Sequence, residues 1–109
     1  QDLTRRNLGR FAAERMPADA RFVQAGVFEP VVAYYAKRTP EVLAKDVEVA
    51  PDAVRVSWIL TTRGIAERIP AGLGRIVASA LSGFRQGGDG RKRGTAGEEL
   101  VIVELPRKP

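Results

Sequence analysis

Apolar positions along this chain recur at two periods, about 3.6 and 2, and the changes between them divide it into elements. Between Asp2 and Met16, the residues Leu8, Phe11, Ala12 and Met16 fall at helical spacing, with Asp2 as a candidate N-cap and Pro17 as a stop. The run Arg21 to Phe28 is short and rich in β-formers and ends at Glu29-Pro30, which predicts a strand. Val31 to Ala36 is open to two readings. Pro30 suits the first position of a helix, whereas Val31, Val32, Tyr34 and Tyr35 favour a strand, and the strand is preferred. Thr39-Pro40-Glu41 predicts a one-turn helix start.

Val47 and Val49, the turn residues Ala50-Pro51-Asp52-Ala53 and the run Val54 to Thr62 predict a hairpin. In its second strand Val54, Val56, Trp58 and Leu60 share one face, and Arg55, Ser57, Ile59 and Thr61 the other. From Ile65 to Phe84, apolar residues at spacings of three and four predict a helix whose second face, with Gly72, Gly74, Ala78, Ser79, Ser82 and Gly83, is small and carries little charge. Residues 86–97 are glycine-rich and predict a flexible loop, followed by a closing strand Leu100 to Leu105 that Pro106 stops. The order predicts an α+β domain, a two-layer sandwich with helices packed on a mostly antiparallel sheet. With Val31 to Arg38 helical and the first helix set aside, the order becomes βαββαβ, a ferredoxin-like sandwich of the same class.

Length and composition narrow the chemistry. The 109 residues fit one domain, 1–109, and the absence of Cys and His excludes disulfide scaffolds, Cys/His zinc sites, thiol nucleophiles and His-based triads. Ser57, Ser79 and Ser82 have no His to activate them, and Lys37, Lys45, Lys92 and Lys108 sit in polar or terminal contexts. The acidic residues form no pair aimed at one substrate, and Gly72-Leu73-Gly74 lacks the strand–loop–helix setting of a phosphate loop. The expectation is a protein that is not an enzyme and uses no cofactor or metal. The stretch Ile69 to Phe84 is too short and too charged to cross a bilayer, and the polar N-terminus lacks the apolar core of a signal peptide.

The net charge of +5 is uneven: residues 22–84 contain seven basic and six acidic groups, so the excess lies toward the two ends. Its sharpest cluster is Arg85, Arg91, Lys92 and Arg93, set among glycines in the predicted loop. These are candidate contacts to nucleic-acid phosphates or an acidic partner. No aromatic residue interleaves with that cluster, and Tyr34, Tyr35 and Trp58 are expected in the core or an interface.

The strand Val54-Arg55-Val56-Ser57-Trp58, the segment Thr62-Arg63-Gly64-Ile65-Ala66-Glu67 leading to Ser82-Gly83, the glycines Gly87 to Gly90 and the strand Glu99 to Val103 together resemble the tail terminator proteins of long-tailed bacteriophages in element order. The resemblance implies a structural subunit of a homo-oligomeric ring, a hexamer, at the head–tail joint of a virion assembled in the host cytoplasm. Its partners would be the tail tube and neck proteins, with DNA passing through the lumen. A small nucleic-acid-binding domain using the basic loop, and a ring-building module of a bacterial envelope complex, are the alternatives.

Overall fold

A computed structural model describes residues 2–44, 49–70, 72–79 and 99–107. The elements are α1 (Asp2–Arg15), β1 (Arg21–Ala25), α2 (Pro30–Ala36), β2 (Glu41–Leu43), β3 (Ser57–Thr62), α3 (Arg63–Ala66), β4 (Arg75–Ser79) and β5 (Leu100–Leu105). They build an α+β fold around one five-stranded sheet of order β2-β1-β3-β5-β4. β1 runs parallel to both β2 and β3, and β5 runs antiparallel to both β3 and β4, so the sheet is mixed rather than mostly antiparallel.

The centre of the sheet is buried on both faces. Phe22, Trp58, Leu60, Leu100 and Ile102 meet Leu8 and Ala12 of α1, Met16 just after it, and Val32 and Ala36 of α2 on one side. On the other, Val23, Ala25, Ile59, Val101, Val103 and Leu105 are covered by Ala66 of α3 together with Leu43, Val49, Ile69 and Leu73. This explains why Ser57 to Thr61 is buried throughout instead of alternating with solvent.

The alternation predicted for Trp58, Leu60 and Ile59 and the strand Leu100–Leu105 are both present, as is the first helix. Asp2 lies inside that helix as its first residue rather than capping it from outside.

Four local expectations are corrected. Residues 31–36 are helical: Val32 and Ala36, one turn apart, are fully buried against α1, and this packing outweighs the β propensity of the valines and tyrosines. The parallel pairing of β1 with β2 also requires a crossover between them, and α2 supplies it. Glu41, expected just inside a one-turn helix, instead opens β2, whose Val42 pairs with Gln24.

No hairpin forms across the described residues 49–62, and Val47 of the expected first strand lies outside them. The Asp52 carboxylate accepts the backbone N–H groups of Val54 and Arg55 at 3.0 and 2.8 Å, which turns the chain and leaves Val54 71% exposed. Sheet pairing begins only where Arg21 N–H reaches Val56 O at 2.8 Å.

The long helix expected over 65–84 is replaced, as far as residue 79, by α3, a turn closed from Leu73 N–H to Pro70 O at 2.9 Å, and β4. Ile69 and Leu73 keep the apolar role the spacing suggested, but as covering residues outside any helix. Gly74 shows why the chain must change direction there. A Cβ on it would overlap Leu105 Cδ2 and approach Glu104 O to 2.9 Å, so only glycine lets the backbone pass over β5. Residues 80–84 and the predicted loop 86–97 lie outside the described residues.

Candidate nucleic-acid interface

Arg85, Arg91, Lys92 and Arg93, the site residues expected from the sequence, all lie outside the described residues. Within the described part, Glu29, Glu41, Glu99 and Glu104 are each committed to an arginine. Glu99 is buried and takes Arg63 Nε at 2.8 Å, which raises the Arg63 pKa through that hydrogen bond, against desolvation. Glu104 accepts Trp58 Nε1–H at 3.1 Å through one oxygen and Arg75 through the other at 3.1 Å. Glu41 is held by both Nε and Nη2 of Arg21, and that hydrogen bonding pulls its pKa down. Glu29 receives Arg5 Nε at 2.6 Å.

Ser57 is wholly buried in β3, and its hydroxyl has no hydrogen-bond partner to act as a base. Among the described residues no three of His, Cys, Asp or Glu gather for a metal. A depression beside Gly72, Leu73, Gly74, Arg75, Glu104 and Pro106 holds 230 Å³, below the roughly 300 Å³ at which small-molecule pockets begin. Among the described residues, no helix is long and apolar enough to cross a membrane.

A different surface collects unspent charge. α1 turns Leu8 and Ala12 into the core and lays Gly9 against α2. A Cβ at Gly9 would stand 2.6 Å from Tyr35 Cβ and 2.7 Å from Val32 O, so the glycine sets how closely the helices approach. That closeness brings Arg6 and Arg10, one turn apart, over the ring of Tyr35, with guanidinium carbons 5.9 and 5.2 Å from its centroid. Tyr34 stands edge-on to Tyr35, the centroids 5.0 Å apart and the planes at 86°. Tyr34 is 75% exposed.

Three residues after Tyr34, α2 ends at Lys37, which caps the helix in the left-handed conformation at φ 61°, ψ 37°, donating its N–H to Ala33 O and Tyr34 O. Arg38 is turned to structural use, donating to Ala20 O and Pro17 O across the α1–β1 turn. Among the described residues neither Arg6 nor Arg10 forms an ion pair, although Glu14 lies one turn beyond Arg10 on the same helix.

Sequence reasoning passed over these residues. The sequence pattern places Tyr34 and Tyr35 in the core or an interface and residues 31–36 in a strand, which separates them from the arginines. The available signal was the spacing of Arg6 and Arg10 on a helix whose opposite face is apolar. Set beside known proteins, the chain matches no family model, no curated protein and no solved structure.

Proposed function

We propose that the protein is a non-catalytic nucleic-acid-binding domain that takes phosphates on the α1–α2 face. The observation that carries this reading is the pair Arg6 and Arg10, held over Tyr35 without a carboxylate partner among the described residues. Between Arg5 and Arg38 the chain has seven basic and three acidic residues, so the local field favours an anion. The ring of Tyr35 fixes the guanidinium groups without neutralising them, which leaves their N–H donors free for phosphate oxygens.

The test is binding of duplex DNA across a salt series. Replacing Arg6 and Arg10 together by Gln is expected to lower the slope of log affinity against log salt by about two units. An unchanged slope in a folded double variant would sink the reading. A loss of about three units on replacing Arg91, Lys92 and Arg93 by Ala, with none from Arg6 and Arg10, would move the contact to that segment.

A second reading follows the likeness to tail terminators: a subunit of a hexameric ring at a phage head–tail joint. The observation in its favour is that the terminal strands of the sheet, β2 and β4, each carry an exposed apolar residue, Val42 at 52% and Ile76 at 41%. Contact between one edge of a copy and the other edge of the next is heterologous and generates rings or filaments. The subunit boundary cannot use a helix through residue 79, because β4 stands there. Light scattering that finds only monomers at high concentration, together with failure to cap tail tubes, would rule the ring out.

A further inference from the structure

We infer that the α1–α2 face selects single-stranded nucleic acid, stacking a base on the exposed ring of Tyr34 while Arg6, Arg10 and Lys37 take the flanking phosphates. This rests on the phosphate reading above and narrows its ligand.

Three observations converge on it. Folding leaves Tyr34 75% exposed while Val32 and Ala36 of the same helix are buried, so this aromatic residue is presented and not used by the core. Tyr35 braces it edge-on at 5.0 Å, which limits the freedom a stacked base would otherwise have to remove. Tyr35 itself carries Arg6 and Arg10, so Tyr34 is the neighbouring platform left for a base.

The cations are spaced to match. Arg6 and Arg10 are separated by four residues, about 6 Å along the helix axis, comparable to the step between successive phosphates of an extended strand. Lys37 holds a left-handed backbone conformation that costs a side-chain-bearing residue free energy and that glycine would adopt without steric strain. A cation kept at such a position, three residues from Tyr34, fits a contact with ligand. A duplex offers the same phosphates but hides its base faces in the stack, so it engages the arginines and not Tyr34. An acidic polypeptide likewise offers charge without a planar face for the ring.

The experiment measures fluorescence anisotropy of the full chain with labelled oligo-dT, with a duplex of equal length and with heparin as competitor. The strand is expected to bind more tightly than the duplex. Tyr34→Ala should weaken strand binding about tenfold and leave duplex binding unchanged, and Tyr34→Phe should retain the strand affinity. Because the ring is exposed, both variants should melt with the parent, and the Phe variant reports on stacking whatever Ala does to folding. Equal affinities for strand and duplex, or a Tyr34→Ala effect of the same size on both, would overturn the single-strand proposal. If that happens while Arg6→Gln/Arg10→Gln still lowers the salt slope, the phosphate reading stands alone. Absence of binding to strand and duplex overturns both.

Discussion

Lys37 is the residue at which stability and binding pull apart. It is the one non-glycine with positive φ among the described residues, at the αL position that ends α2, where its N–H satisfies the carbonyls of Ala33 and Tyr34. The left-handed conformation costs a side-chain-bearing residue about 1–2 kcal/mol. Glycine would remove that strain but bring about 0.5–1 kcal/mol of additional backbone entropy to lose on folding. Lys37→Gly is therefore expected to stabilise the fold by about 0.5–1 kcal/mol, read as a higher urea midpoint. The same change removes a cation beside Tyr34, so nucleic-acid affinity and its salt slope should fall, the slope by about one unit. A variant that gains stability and keeps its slope would show that Lys37 serves only the helix end. Asp52 makes a related point with the opposite charge: two backbone N–H groups, from Arg55 and Val54, hold its pKa down and fix the turn before β3.

At the scale of elements, α1 and α2 form a unit whose separation is set by Gly9. Alanine there gains up to about 1 kcal/mol of helix propensity. Its Cβ would nevertheless lie 2.6 Å from Tyr35 Cβ and 2.7 Å from a backbone oxygen, and overpacking of this kind typically costs about 1–3 kcal/mol. Gly9→Ala should lower the melting temperature by several degrees, whereas Gly72→Ala, whose Cβ meets nothing within 4 Å, should leave it unchanged. Equal melting of the two variants would refute the close-approach argument. This helix pair also marks where the sequence was legible and where it was not. α1 and β5 carry clear periods, and their core residues follow from spacing alone. α2 was misread because its valines and tyrosines have strand propensity, while its helicity comes from packing on α1, a partner that local pattern does not reveal. The 65–84 period misled for a different reason. Ile69 and Leu73 do face the sheet, yet Pro70 and Gly74 divide the run into a short helix, a turn and β4. The Arg6–Tyr35 contact was hidden by the same error, since a strand at 31–36 would not have lain beside α1.

Across the whole molecule, the charge separates into a spent part and a free part. Arg5, Arg21, Arg55, Arg63 and Arg75 are each paired with a carboxylate, and four of these pairs join positions 20 to 36 residues apart in sequence. They fasten the sheet and its connections: Arg21–Glu41 links β1 to β2, Arg63–Glu99 ties the end of β3 to the start of β5, and Arg75–Glu104 joins β4 to β5. Among the described residues, the helix layer keeps Arg6, Arg10 and Lys37 outside such pairs, which is how a modest net charge of +5 can still leave local cationic character. The spent part has a pH signature. Glu41 has a lowered pKa in the folded state, chiefly through its hydrogen bonds with Arg21, so its stabilising contribution is complete above the unfolded-state value of about 4.3. As pH falls through the lower folded value, protonation removes it. Glu41→Gln should accordingly be less stable than the parent at neutral pH by a constant margin down to about pH 5, and the two urea midpoints should then converge on further acidification. Because the Glu41 side chain is 47% exposed, salt should shrink the neutral-pH margin as well. A margin that persists undiminished at pH 2.5, or grows as acid is added, would show that the substitution acts through packing and not through the ion pair.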